Sequence, residues 1–132
     1  MDIEISHEQG RKPVTVFRIR GEVNITTYEQ LEKQARDAQA SGTRDLLLDL
    51  TEVTYVSSAG IRALNNIFKL LRSDAPEESD EAMRKGLSDG TFKSPHLKLL
   101  NPTPRVVEVL KIAGVDMLLE MHQNRKDALA SF

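Results

Sequence analysis

Apolar and polar residues alternate where the chain begins. Ile3 and Ile5 sit between Asp2, Glu4 and Ser6, a period of two that predicts a strand. Gly10-Arg11-Lys12-Pro13 reads as a turn. Val14 to Arg20 reads as a second strand, with Thr15, Phe17 and Ile19 on one face and Val14, Val16, Arg18 and Arg20 on the other. The short connection predicts an antiparallel hairpin. Gly21-Glu22-Val23-Asn24 reads as a loop. The period then lengthens: Tyr28, Leu31, Ala35 and Ala38 recur at spacings of three and four, an amphipathic helix that stops near Gly42. Thr26 and Glu29 stand at its start in capping-box spacing.

Leu46-Leu47-Leu48-Asp49-Leu50 is an apolar run broken once, the pattern of a strand covered on both faces, as in a parallel sheet. Strand, helix, strand predicts a right-handed crossover. Val53 to Val56 leads into Ser57-Ser58-Ala59-Gly60, at the N-terminus of a helix with Ile61, Leu64, Phe68 and Leu71 on one face. Residues 72–95 break the pattern. Asp74, Glu77, Glu78, Asp80 and Glu81 cluster among Ser, Gly and Pro, a polar acidic insertion read as a solvated loop, a partner-docking segment or a short extra helix around Glu78–Lys85. His96 to Leu100 resumes as a strand. Thr103 caps a helix with Pro104 at its first position, its buried face made by Val106, Val109, Leu110 and Ala113 and its end by Gly114. Asp116 to Met121 reads as the last strand, and Asn124 as the cap of a terminal helix through Leu129. The order is ββαβα-(insertion)-βαβα. This is an α/β fold: a mixed β-sheet of about four to five strands with helices packed on it.

The chain has 132 residues, which predicts a single domain over 1–132 carrying the insertion at about 72–95. It is 39% hydrophobic and 29% charged, the balance of a globular chain. Aromatics are 5% with no Trp, so the core must be built from Leu, Ile and Val, and base stacking on nucleic acid is not expected. A net charge of −2 lacks the basic field that nonspecific binding to DNA or anionic membrane requires. With no Cys, thiol catalysis, zinc-thiolate sites and disulfides are all excluded, which suits a reducing cytoplasm. No apolar run approaches the roughly 18 residues of a membrane span, and Met1-Asp2-Ile3-Glu4 is not a signal peptide.

Few residues are left for chemistry. His7, His96 and His122 have no metal-ligand spacing. Ser58 is not in a G-x-S-x-G elbow, because Val56 stands at the first glycine, and Ile61 stands where S-x-x-K needs lysine. No phosphate-binding glycine loop is present. The expectation is therefore no catalytic residue, no metal and no cofactor. The serines at the helix start remain. A serine there caps the helix by accepting a backbone N–H, a contribution of about 1 kcal/mol. The same helix end favours a nearby anion by about 0.3–1 kcal/mol, so the fold would tolerate a phosphate on Ser58. Two added charges would at the same time oppose a partner docking there. Arg62, four residues on, should share the outward face with Ser58.

Four segments in order carry a resemblance. Gly21-Glu22-Val23-Asn24, Asp49-Leu50-Thr51-Glu52-Val53, Val56-Ser57-Ser58-Ala59-Gly60-Ile61, and Val106-Val107-Glu108-Val109-Leu110 followed by Gly114-Val115-Asp116 together resemble the STAS domain of bacterial anti-sigma factor antagonists. The resemblance implies a non-enzyme. Its unphosphorylated form binds an anti-sigma factor that is also a serine kinase, and so releases a sigma factor. The kinase phosphorylates the signature serine, here Ser58, and a metal-dependent serine phosphatase reverses this. The family's Asp before that serine is Ser57 here, which makes Ser57 a rival acceptor, and Asn24 replaces the usual Asp of the first loop. Asn24, Ser57, Ser58, Ala59, Gly60 and Arg62 are the expected partner-binding residues. Neither direct nucleic-acid binding nor membrane binding is expected. The alternative is a constitutive, unphosphorylated STAS scaffold, or a subunit of a signalling or lipid-transport assembly.

Overall fold

The computed structural model of the chain describes residues 1–72 and 93–132. The predicted hairpin is present. Strand β1 (Asp2–Gln9) pairs antiparallel with β2 (Pro13–Val23), in unbroken register from Asp2↔Arg20 to Gln9↔Pro13. Helix α1 (Tyr28–Ala40) then leads to β3 (Leu46–Val56), and α2 (Ser58–Arg72) follows it. After the insertion come β4 (Leu97–Leu100), α3 (Pro104–Ile112), a 3-10 turn (Val115–Met117), β5 (Met121–His122) and α4 (Arg125–Ala130). The strands lie in the sheet in chain order, β1-β2-β3-β4-β5, and every pair after the hairpin is parallel. Of the insertion, residues 73–92 lie outside the described residues, as does the short helix considered around Glu78–Lys85.

Four local readings are corrected. Gly21-Glu22-Val23 is not loop but the end of β2. The register against β3 shifts between Arg18 and Arg20 and again between Gly21 and Glu22, and Gly21 has φ +97°, so the strand bends and keeps pairing. The capping box at Thr26 does not form. Thr27 is the N-cap, and its hydroxyl is engaged with Asn24 and the Glu22 carbonyl. Asp116–Met121 is not a strand. Gly114, at φ +76°, turns the chain into the 3-10 turn, and Val115 in it and Leu119 just after it point into the core. Only Met121 and His122 are left to pair with Leu99 and Leu100. Ala113, expected on the buried face of α3, is exposed at the helix end; Val106 and Leu110 are fully buried.

The alternation in β2 and β3 divides the core in two. Phe17, Ile19, Leu46, Leu48 and Leu50 face the side covered by α1, α2 and α3, where Leu31, Ala35, Ala63, Leu64, Ile67, Val106 and Leu110 pack on them. Val14, Val16, Leu47 and Leu100 face the other side, beneath Ala128 and Phe132 of the C-terminal segment. Because β2, β3, β4 and β5 run parallel, Val23, Val56 and Leu100 all end at one edge of the domain. In open α/β sheets that edge, at the carboxyl ends of the strands, is where ligands and partners are met.

Candidate functional site

Ser57 and Ser58 lie at this edge, where β3 turns into α2. The two serines are built differently. Ser57 is tied in three ways: its N–H donates to the Val23 carbonyl at 2.9 Å, its carbonyl accepts from Ile61 N–H at 2.9 Å, and its Oγ accepts from Gly60 N–H at 3.4 Å. It is the N-cap. Ser58 is the first residue of α2 and is exposed, and among the described residues its hydroxyl has no hydrogen-bond partner. Ala59 and Gly60 turn inward and are buried. Gly60 has a steric reason: a Cβ there would meet the Val23 carbonyl oxygen at 2.6 Å and Val56 Cγ1 at 2.7 Å. The close approach of the helix start to β2 brings the Asn24 loop beside the serines.

Asn24 organises that loop. Its Oδ1 accepts from Thr26 N–H at 2.9 Å and Thr26 Oγ1 at 2.7 Å, its Nδ2 donates to Glu22 at 3.1 Å, and its N–H donates to Thr27 Oγ1 at 2.9 Å. Its carbonyl accepts from the N–H groups of Thr27 and Tyr28, the first of α1. An Asp would serve the Oδ1 bonds but could not donate to Glu22, so asparagine fits this loop for a physical reason. Arg62 is exposed on the outward face of α2, while Leu64 is buried and Ile61 partly so. The Glu29 carboxylate, which accepts the Tyr28 hydroxyl at 3.2 Å, pushes that phenol above its ordinary 10.0, and Arg62 acts in the opposite sense.

Of the residues singled out from sequence, Asn24, Ser57, Ser58 and Arg62 are accessible at this edge, while Ala59 and Gly60 are buried beneath it. Sequence reading missed two neighbours. Ile25 follows Asn24 at the loop tip and is 68% exposed, a large apolar side chain facing solvent. Its position off the period of α1 was the available signal. Arg105, at the start of α3, stacks over the Tyr55 ring at 5.0 Å. That contact depends on β4 lying beside β3, which local pattern does not contain. Chemically, this edge offers an accessible hydroxyl at the positive end of a helix, with no carboxylate or imidazole bonded to it among the described residues. That suits an acceptor of a transferred group more than a nucleophile, which needs an adjacent base. Each histidine has its own neighbour: His7 with Thr15, His96 with Asp45, His122 with Glu120. Among the described residues there is no cluster able to hold a metal ion, and no helix long and apolar enough to cross a membrane.

Known proteins were compared with this chain. The STAS domain family model matches residues 7–75. BtrV of Bordetella bronchiseptica, which carries the name of an anti-sigma factor antagonist, is 30% identical over 114 residues, 86% of this chain and 82% of its own. An anti-sigma factor antagonist (STAS) domain protein of Planctomyces limnophilus superposes with a TM-score of 0.68 at 22% identity, covering 98% of this chain and 96% of that one. SpoIIAA, an anti-sigma factor antagonist, matches in its unphosphorylated form with a TM-score of 0.67 at 18% identity, over 96% and 93% of the two chains. The phosphorylated form of SpoIIAA from Bacillus matches with 0.60 at 17%, over 96% of each. Sequence and fold agree, and the chain belongs to the STAS domain family.

Proposed function

We propose that this protein is an anti-sigma factor antagonist switched by phosphorylation of Ser58. The observation that carries the reading is the contrast at the start of α2: Ser57 is consumed as the cap, while Ser58 is exposed beside the Asn24 loop and its hydroxyl is unbonded among the described residues. Phosphate on Ser58 would sit over free helix N–H groups, so the fold would bear it. A partner resting on the same surface would meet about −1.5 to −2 of new charge. Arg62 and the exposed Ile25 lie within that footprint. In this reading the unphosphorylated chain binds an anti-sigma factor that is also its serine kinase, and a metal-dependent serine phosphatase restores it. The chain is a substrate and not an enzyme, it needs no cofactor, and it meets its partners in the cytoplasm. The rival acceptor, Ser57, is only part-exposed and its oxygen already accepts the cap bond. The names of BtrV and SpoIIAA, and the existence of SpoIIAA in both phosphorylation states, support the reading.

The test joins mass and affinity. After incubation with its cognate kinase and ATP, the intact chain should gain one phosphate, and Ser58→Ala should gain none. Ser58→Asp should fold normally and bind the anti-sigma partner at least about tenfold more weakly, a 1.4 kcal/mol effect. Equal affinities for wild type and Ser58→Asp would overturn the switch, and no phosphate on either serine would favour a constitutive scaffold.

A further inference from the structure

A cleft of about 770 Å³ opens at the end of the domain away from Ser58, between the β1–β2 hairpin and the last turns of α1. It exists because α1 covers only the start of β1. Ile3 packs against the core, but Ile5 remains 42% exposed and His7 is exposed. Ile5 and Ala38 give the cleft apolar walls. Polar groups converge at its inner end. Thr15 Oγ1 lies 2.8 Å from Thr43 Oγ1 and 3.5 Å from His7 Nδ1, and Asp45 Oδ1 lies 2.9 Å from His96 Nδ1. Thr15 and Asp45 are each only 5% exposed. An apolar recess of several hundred Å³ with a few convergent polar groups is the usual form of a small-molecule site.

The charges lining it choose the ligand. Glu8 is paired with Arg125 at 2.7 Å, Asp37 with Lys33 at 3.2 Å, and Asp45 with His96. Each lining carboxylate thus already faces a cation or a ring nitrogen. Two cations line it as well: Arg44 is already engaged, and Lys12 has no ion pair among the described residues. We infer that this cleft binds a small amphipathic carboxylate. Its carboxylate pairs with Lys12, its apolar body lies on Ile5 and Ala38, and a hydroxyl at its far end joins the Thr15–Thr43 hydroxyl pair. Both threonine hydroxyls can donate or accept, so the pair can receive a third hydroxyl without losing its own bond.

The probe is 3-(4-hydroxyphenyl)propionate, which has a carboxylate, a ring and a terminal hydroxyl. Titrated into the isotope-labelled full chain, it should give saturable amide shifts at Ile5, His7, Thr15 and Ala38 to Asp45 and leave Ser57 to Arg62 unmoved, with Kd below about 1 mM. Lys12→Ala and Thr43→Val should each weaken binding at least about fivefold, roughly 1 kcal/mol. Lys12 and Thr43 lie outside the buried core, so both variants should keep the wild-type fold, with amide shifts confined to the neighbours of the changed residue. Tyramine, which replaces the carboxylate by an ammonium, should not bind. Equal binding of tyramine, shifts at Ser58 instead, unchanged affinity in both variants, or no saturation by about 10 mM would each overturn the assignment.

Discussion

The two faces of the sheet are covered by unequal means. On one, three helices of 13, 15 and 9 residues press Leu31, Ile67, Leu110 and their neighbours onto Phe17, Ile19 and Leu48. On the other, one six-residue helix and Phe132 cover Val14, Val16, Leu47 and Leu100. A helix that short has no stability of its own. It is held by discrete polar fasteners. Asn124 caps it, accepting from Lys126 and Asp127, Arg125 pairs with Glu8, and the buried Lys98 donates to the Ser131 carbonyl at 2.8 Å and pairs with Glu120 at 2.9 Å. Lys98 also lies over the Phe132 ring at 5.0 Å. The first face is held by area and the second by a few bonds, so the second is where local opening should be easiest.

The widest test of that contrast uses two adjacent residues of β3. Leu47 and Leu48 are both fully buried but point to opposite faces. Leu48→Ala should cost about 3–5 kcal/mol in denaturant unfolding, because three helices hold the cavity open. Leu47→Ala should cost about 2–3 kcal/mol, since the small C-terminal cover can settle inward. Equal losses would mean that the two covers are equally rigid.

Removing a fastener comes next. Lys98→Met keeps the stem but removes the bonds to Ser131 and Glu120, and should cost about 1–2 kcal/mol. Hydrogen exchange should show the loss concentrated in α4, with α1 and α2 unchanged. The same pair gives a pH effect. Burial tends to raise the Glu120 carboxyl, but the hydrogen bond and charge of Lys98 outweigh it and hold the group below its ordinary 4.5. A group lowered in the folded state adds stability that is full above pH 4.5 and fades as pH falls through the lowered value. Protection of the α4 amides should fall in that acid range, and Glu120→Gln should remove the dependence.

The smallest effects lie at the start of α2, where a polar fastener serves the well-covered face. Ser57→Ala should cost about 1 kcal/mol through the lost cap. Ser58→Ala should stay within about 0.5 kcal/mol, since its hydroxyl bonds to none of the described residues. Thermal unfolding of the two variants separates a serine that builds the site from one that is free to be modified.

Much of this could be read from the chain. Period and caps placed β1, β2, α1, α2 and α3, and Thr103, Asn124 and Gly114 hold the positions their chemistry predicts. The two faces of β2 also followed from its alternation. Some failures were local, as where Thr27 took the cap from Thr26; others came where a residue's local preference was overruled by a partner distant in sequence. Gly21 looks like a loop residue, but β3 pairs with it. The serine motif showed where the site lies. The division of labour within it was not visible, because Ser57 becomes the cap only when its N–H finds the Val23 carbonyl across the sheet. The buried Lys98 was equally hidden: nothing local says that a lysine in β4 will lie under the C-terminal aromatic ring.

That the strands stand in the sheet in the order in which they occur in the chain bears on how the molecule is made. No strand has to insert between two already paired, so each can dock on its predecessor as the chain grows. The hairpin and β3 can form a nucleus before β4 exists. The one long wait is the return from Arg72 to Leu97, and loop-closure entropy grows only with the logarithm of length, about 0.6 kcal/mol for each doubling. This architecture can therefore carry a long acidic segment at that connection and still assemble around it, which leaves the length of the segment open to change at a small cost to the fold.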